Sequence, residues 1–290
     1  MTSAAISTSA SSVDPVTATT PAASRPQIRV RKMGFDFSGV PRHWFFGNAW
    51  ATHVANGLNL VFPEGERFFI RSVKHYLPEI ADDPELLERC RAFFGQEGSH
   101  GHEHEGAFRV LESQGFDIQT WLQWYERAAF GKVEQRFPPN IRLAATAALE
   151  HLTATLAEQG LLSSELDNAY PVMRDLLRWH ACEEIEHKSV AFDVLKKVDD
   201  RYWVRVSGMV LGLAGMLYFW RSAAKMLLKQ EGITRAQAKR ERAAAKARGQ
   251  NRNYLWRGFV EYLRPSFHPD DHDNYGLAKA YLQKIGRFEG

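Results

Sequence analysis

The feature that most constrains this chain is a repeated pattern of glutamate and histidine residues on stretches that read as helix. The pattern Glu-x-x-His occurs twice, at residues 97–100 and 184–187. A single glutamate precedes each copy in another apolar segment, Glu66 before the first and Glu150 before the second. Residues three apart on a helix lie on nearly the same face, so one helix can offer a carboxylate and an imidazole to the same ions. This order matches the ligand set of a dinuclear metal site inside a four-helix bundle.

The spacing of the pattern supports that arrangement. A bundle helix of roughly 20 residues and a short loop bring the chain back to the same height after about 30 residues. Glu66 and Glu97 are 31 positions apart, and Glu150 and Glu184 are 34 apart, so each pair fits one helical hairpin. The 53 positions between Glu97 and Glu150 suit the long crossover of ferritin-like bundles. The sequence therefore predicts an all-α, ferritin-like four-helix bundle with additional C-terminal helices.

The composition permits one large helical domain with appendages. The chain has 290 residues, is 44% hydrophobic and carries a formal net charge of +3. Residues 1–26 are rich in Ser, Ala and Thr without an apolar block, which predicts a disordered tail and not a signal peptide. We assign residues 27–200 to the bundle and residues 201–290 to a C-terminal helical extension. Two cysteines argue against a disulfide scaffold, so a cytoplasmic location is expected.

Local signals place the helices that carry the motifs. A capping aspartate followed by proline predicts a helix from about 84 to 114. Pro63 is expected to start or kink the helix that carries Glu66. A helix over 141–159 should end at Gly160, and one restarted near Pro171 should continue to about residue 198.

The chemistry of the motif residues points to metal binding. Buried carboxylates are costly unless they are paired with cations, and two metal ions would accommodate four glutamates and two histidines together. An oxygen-rich set with one histidine per metal suits iron, with manganese or zinc as alternatives. Single Glu-x-x-His patterns also occur by chance on surface helices, but the ordered fourfold pattern favours a site. The predicted ligands are Glu66, Glu97, His100, Glu150, Glu184 and His187.

Two further histidines share the predicted metal face. His104 lies four residues after the first motif histidine, and His180 lies four residues before the second motif glutamate. Each is either an additional ligand or a group that orients the ligating carboxylates. Thr153 could hydrogen-bond a metal-bound oxygen. His102 and His151 turn away from that face and are expected to be exposed or structural.

The C-terminal region contains an apolar run followed by a basic one. Residues 206–220 contain no charged residue, but 15 residues fall short of the roughly 20 that a membrane span needs, so a buried helix is expected. Residues 225–257 hold ten Lys or Arg against two Glu and are interpreted as a solvated, partly helical arm. Together the two runs could instead dock on an anionic membrane surface. Nucleic-acid binding is disfavoured because the basic run lacks interleaved aromatic residues. A last helix is predicted over 275–288.

Four blocks of sequence carry a resemblance to a known family. Residues 62–69 (FPEGERFF), 93–104 (FFGQEGSHGHEH), 148–154 (ALEHLTA) and 179–194 (WHACEEIEHKSVAFDV) resemble the bacterial "predicted metal-dependent hydrolase" family. The similarity spans roughly residues 34–264. The family's name implies hydrolysis, whereas its ligand pattern resembles that of ferritin-like di-iron proteins. The arrangement of His180, Glu184 and His187 is also locally similar to that of the di-iron arylamine N-oxygenases.

These observations predict a dinuclear, di-iron enzyme that activates dioxygen to oxidise, hydroxylate or desaturate an organic, lipid-like substrate. Such an enzyme would also require an electron donor. The alternative is a metal-dependent hydrolase that uses a metal-bridged water, and the third reading is a non-catalytic iron-binding bundle. The sequence leaves open whether the protein forms a homodimer.

Overall fold

The computed structural model describes residues 25–247 and 254–289. This part of the chain is all-α and has no β-strand, apart from an isolated bridge between Phe45 and Ala169. Residues 1–24 of the predicted tail lie outside the described residues. The helices are α1 (Ala49–Lys74), α2 (Pro84–Ser113), α3 (Gln119–Tyr125), α4 (Pro139–Leu162), α5 (Pro171–His187), α6 (Val190–Val198), α7 (Tyr202–Gln230), α8 (Arg235–Ala247), α9 (Tyr254–Tyr262) and α10 (Tyr275–Lys284).

Helix α2 has the predicted limits. The Asp83 carboxylate accepts the backbone N–H of Leu86 at 3.0 Å, and Pro84 occupies the first helical position, where no backbone donor is required. Just beyond the C-terminal end, Gly115 has a φ of +88°, a conformation that glycine adopts without steric cost. The first Glu-x-x-His pattern therefore lies near the middle of a continuous helix.

Several predicted boundaries are wrong. The helix restarted near Pro171 ends at His187 and a separate helix follows over Val190–Val198, and the last helix ends at Lys284. Helix α4 continues through Gly160 to Leu162, because a glycine in the last turn costs only about 1 kcal/mol relative to alanine. Helix α1 begins at Ala49 with Pro63 in its interior, so of the two predicted roles of this proline only the start of the helix is excluded. The start of α1 is fixed by Asn48, whose side-chain oxygen accepts the N–H of Ala51 at 2.7 Å.

The four motif-bearing helices pack as two neighbouring hairpins. Helix α1 packs along α2, and α4 packs along α5. The hairpins meet through contacts of α1 with α4 and of α2 with α5. Between them, the chain passes through α3, a π-helix over Glu126–Val133 and a short 3-10 helix over Glu134–Arg136. This order brings one face of each motif-bearing helix to the centre.

Helix α7 differs from the expected buried helix. It has 29 residues and, by length and composition only, could span a membrane, so the prediction that the apolar stretch is too short for a span is wrong. Only 28% of its most apolar window is buried, and Trp203, Val210 and Tyr218 are exposed by 73%, 55% and 60%. The helix is longer than the uncharged run because its flanking basic residues continue the same helix.

Small residues fix α7 against the bundle. A Cβ added to Gly208 would lie 2.3 Å from the backbone carbon of Ala144 on α4. Near the other end of α7, a Cβ on Gly57 of α1 would lie 2.8 Å from the backbone nitrogen of Ala224. Helix α7 therefore crosses α4 with its first half and α1 with its second half.

Replacing Gly208 with alanine should lower the free energy of unfolding by about 1–3 kcal/mol, because the backbones of α4 and α7 must separate. Gly215→Ala is the matched control on the same helix, since an added Cβ there meets no atom within 4 Å. That variant should gain up to about 1 kcal/mol from helix propensity. Urea unfolding of both variants measures the difference, and equal stabilities would contradict the proposed close contact.

The described part of the C-terminal extension lies on the bundle. Helix α9 packs against α4, and α10 packs against α5. Within the basic segment, α8 lies beside α1: Ala245 is buried, and the Glu241 carboxylate accepts the backbone N–H of Trp50 at 2.7 Å. The described part of the arm is therefore a docked helix.

Candidate metal centre

The six predicted ligands converge at the centre of the four helices. Glu66 comes from α1, Glu150 from α4, and one Glu-x-x-His pair comes from each of α2 and α5. All six side chains are buried, with relative exposures of 4% or less. His187 Nε2 lies 3.1 Å from Glu97 Oε1 and 3.2 Å from Glu150 Oε2. The fold therefore brings together residues that are more than a hundred positions apart in sequence.

The six residues include overlapping groups that could hold an ion. Glu66, Glu97 and His100 offer ligand atoms within 4.8 Å of one another, and so do Glu97, Glu184 and His187. Glu97 belongs to both groups, so its carboxylate lies between them. His100 Nδ1 also lies 3.7 Å from Glu184 Oε1, which connects the two Glu-x-x-His patterns.

The hydrogen bonding of the cluster fits bound metal. Both carboxylate oxygens of Glu66, Glu97 and Glu150 are buried without a hydrogen-bond partner, as is one oxygen of Glu184. A buried carboxylate oxygen without a donor costs several kcal/mol, and native proteins rarely collect such atoms in one place. Divalent cations would satisfy all of these oxygens at once, so the residues present fit a metal centre.

Burial of the cluster also shifts the pKa values of its carboxyl groups. Burial, followed by repulsion from neighbouring carboxylates, holds the pKa of Glu66 well above its ordinary value, and burial raises the pKa of Glu150 to about 7. Burial also favours the charge-neutral form of Glu184, but the adjacent His180 and His187 outweigh it and lower the pKa of this carboxyl. The carboxylates of the cluster repel one another, and bound cations would relieve that repulsion.

The outer nitrogen of His100 is held by residues that the sequence pattern did not identify. His100 Nε2 lies 3.1 Å from Glu183 Oε2 and donates to it when Glu183 is ionised, the form that the hydrogen bond from Arg31 favours. The indole N–H of Trp179 and the guanidinium of Arg31 each donate to the other oxygen of Glu183 at 3.0 Å. These contacts leave Nδ1 of His100 unprotonated and facing the cluster, as a metal ligand requires.

The second motif histidine is oriented in the same way. His187 Nδ1 donates to Gln96 Oε1 at 2.8 Å, and Gln96 Nε2 donates to Glu186 Oε2 at 2.8 Å. Arg31 forms a bidentate pair with Glu186 at 2.8 and 2.9 Å. Nε2 of His187 is therefore left to face the carboxylates. The sequence position of these orienting residues could have indicated their role, because Gln96, Glu183 and Glu186 each directly precede a predicted ligand.

His104 and His180 form a line of hydrogen bonds that ends on a predicted ligand. The side chain of Asn59 contacts His104 Nδ1, His104 Nε2 lies 2.6 Å from His180 Nδ1, and His180 Nε2 lies 2.7 Å from Glu184 Oε1. The orientation of the Asn59 amide decides which nitrogens carry protons. With one orientation His180 donates to Glu184, and with the other its Nε2 is free to bind a metal. Direct metal binding and the orientation of a ligating carboxylate therefore both remain predictions for His104 and His180.

The remaining predicted residues are located as follows. The Thr153 hydroxyl donates to the backbone oxygen of Glu150 at 3.0 Å, within its own helix, so its proposed contact with a metal-bound oxygen remains a prediction. His102 is exposed, and His151 is buried with its Nε2 2.9 Å from the carbonyl oxygen of Gly258. These two histidines lie away from the cluster, as the helical periodicity predicts.

A large cavity adjoins the cluster. Its volume is about 680 Å³, within the range of small-molecule sites, and its lining is mainly apolar. It lies among α1, α4, α5 and α7, and His180, Glu184, Thr153 and Phe62 belong to its walls. Phe62 also packs against the His180 ring, with the centroids 4.7 Å apart. A molecule in this cavity could therefore reach the edge of the candidate metal centre.

Comparison with known proteins gives a family match that covers most of the chain. The family described as "Predicted metal-dependent hydrolase" matches residues 29–273. This range contains every predicted ligand and most of the C-terminal extension. No curated protein and no solved structure matches the chain.

Proposed function

We propose a function from the premise that this chain belongs to the family of predicted metal-dependent hydrolases. In this proposal the protein is a hydrolase that holds two metal ions and cleaves an organic substrate bound in the adjoining cavity. The main support for this proposal is the group of buried carboxylate oxygens that have no hydrogen-bond partner and lie beside an apolar cavity. The proposed metal ligands are Glu66, Glu97, His100, Glu150, Glu184 and His187.

The chemistry of hydrolysis assigns separate tasks to the metal and the protein. Bound divalent ions would lower the pKa of a water molecule and polarise the bond to be cleaved. The protein supplies the fixed tautomers of His100 and His187, which keep one nitrogen of each turned inward. His180 lies at the wall between cluster and cavity, so it can hold a proton that leaves the water or returns to the product. The apolar walls exclude bulk water from the substrate.

The composition of the ligand set favours a second candidate function. The set contains four glutamates and two histidines, with one histidine in each Glu-x-x-His pattern. This composition matches the ligand set of di-iron and di-manganese carboxylate bundles. With iron, the centre would support dioxygen chemistry, and the cavity would hold the organic substrate to be oxidised. This function also requires an electron donor.

Metal content and oxygen sensitivity separate these functions. For a hydrolase, we expect about two metal ions per chain and ester or phosphoester cleavage with zinc or manganese, equal in air and under nitrogen. For an oxygenase, the anaerobic Fe(II) protein should develop a transient near-ultraviolet or visible band when oxygen is added. Many more ions per chain would indicate iron storage, and no bound metal would refute both enzymatic proposals.

A further inference from the structure

We infer that the natural substrate is an amphipathic anion, with an apolar chain that enters the cavity and an acidic group that stays at its mouth. The inference rests on the proposed function only in assuming that the cavity serves the metal centre. It deepens that proposal by assigning a chemical class to the substrate.

The body of the cavity is suited to a hydrocarbon chain. Most of its lining is aliphatic or aromatic, contributed by α1, α4, α5 and α7. Burial of apolar substrate surface there would release about 25 cal/mol per Å² removed from water. The apolar residues include Trp50, Val54, Leu58, Leu156, Leu177 and Leu217.

Helix α7 explains why an open space exists here. It contacts α4 closely around Gly208 and α1 closely at Ala224. Between these two contacts, Leu217 and Trp220 form part of the cavity wall instead of packing into a closed core. The Trp220 indole is fixed by donation of its N–H to the Val54 carbonyl oxygen at 2.7 Å.

The charged residues of the lining have an uneven distribution. Arg221 and Lys225 from α7 and Arg242 from α8 are exposed, whereas Glu184 of the metal centre is buried. Among the described residues, none of these three cations forms an ion pair. Glu165 is the other carboxylate of the lining, so cations predominate at the solvent side. Such a cationic rim would attract an anion and contribute little to binding a neutral chain.

The position of the cations would also decide which part of the substrate lies near the metal centre. With the acidic group held at the exposed rim, the apolar part of the substrate extends toward His180 and Glu184. The bond that reacts would then lie within the chain or near its inner end, away from the acidic group. A substrate whose only polar group is the reacting one would lack the contact with the rim.

Binding to the protein as purified tests the inference without any turnover. Isothermal titration with dodecanoate, dodecyl phosphate, dodecanol and dodecyltrimethylammonium compares a carboxylate, a phosphate, a neutral and a cationic head group on one chain. We expect both anions to bind about tenfold or more tightly than dodecanol, and the cation to bind most weakly. The stronger of the two anions identifies the natural head group.

Three variants locate the binding site. Arg221→Ala with Lys225→Ala should weaken anion binding about tenfold and leave dodecanol unchanged. The control pair Lys229→Ala with Arg235→Ala removes the same charge from exposed positions that do not line the cavity, and it should have little effect. Ala55→Trp, which fills part of the cavity, should weaken all four ligands, with circular dichroism confirming the fold.

Equal binding of dodecanoate and dodecanol would overturn the inference, as would equal effects of the two double variants. The rim variants separate these outcomes from the metal chemistry, because an anion held by bound metal ions would respond equally to the two double variants. If the anions bind as expected but the purified protein holds no metal, the proposed function fails and the assigned ligand class stands. If metal is bound but the anions are not, the reverse holds.

Discussion

Replacing Arg31 with alanine is expected to lower the free energy of unfolding by about 3–5 kcal/mol, the cost of leaving a buried charge without its partner. The Arg31 side chain is only 1% exposed and forms ion pairs with Glu183 and Glu186 at 3.0 and 2.8 Å. Burial already raises the pKa of Glu183 to about 8, despite the adjacent guanidinium. Without Arg31, two buried carboxylates lose their cation. Thermal and urea unfolding measure the loss.

The neighbouring Arg29 provides the control. Its side chain pairs with Glu289, which is 78% exposed, and such surface pairs contribute at most about 1 kcal/mol. Arg29→Ala should therefore unfold nearly as the wild type does. The two variants should also differ in metal affinity, because Glu183 and Glu186 orient the two histidines that we propose as metal ligands, through direct and Gln96-mediated contacts. Equal stability and equal metal affinity of both variants would contradict the assigned role of Arg31.

Substitution of Glu97 by alanine is expected to remove bound metal and the stability that metal provides. Glu97 belongs to two of the candidate ligand groups, so its loss affects both. At free metal a thousandfold above the dissociation constant, binding adds about 4 kcal/mol to the free energy of unfolding. For a chain of this size, that corresponds to a difference of about 10 °C in Tm. Elemental analysis and thermal unfolding with and without a chelator measure both effects.

Glu105→Ala is the matched control on the same helix. The Glu105 side chain is 42% exposed and pairs with Arg67 on the surface. This variant should keep the metal content and the chelator-sensitive Tm of the wild type. If Glu97→Ala keeps its full metal content, as Glu105→Ala should, the six-residue assignment is wrong.

Much of the site follows from local sequence pattern. The three-residue spacing within each motif directs a carboxylate and an imidazole to one helix face, whatever the neighbouring helices are. The hairpin spacing then predicts which helices are adjacent. All six predicted residues are brought together in the described structure, so this part of the prediction required no long-range information beyond the order of the helices.

The residues that orient the histidines were harder to recognise. Gln96, Glu183 and Glu186 lie next to ligands in sequence, but a polar residue beside a motif is usually solvent-exposed. Their role depends on Arg31, which lies 152 positions before Glu183, in a segment without regular secondary structure. No periodicity indicates that such an arginine becomes buried.

The sequence by itself determined the helical class, the order of the motif helices and the candidate ligands, because helix periodicity and capping act over a few residues. Only the tertiary structure decided that Arg31 neutralises Glu183 and Glu186, that His104 and His180 form a hydrogen-bonded line to Glu184, and that α7 leaves a cavity beside the cluster. These features depend on how closely whole helices approach one another. That distance is set by small side chains such as Gly57 and Gly208 meeting residues far away in the chain.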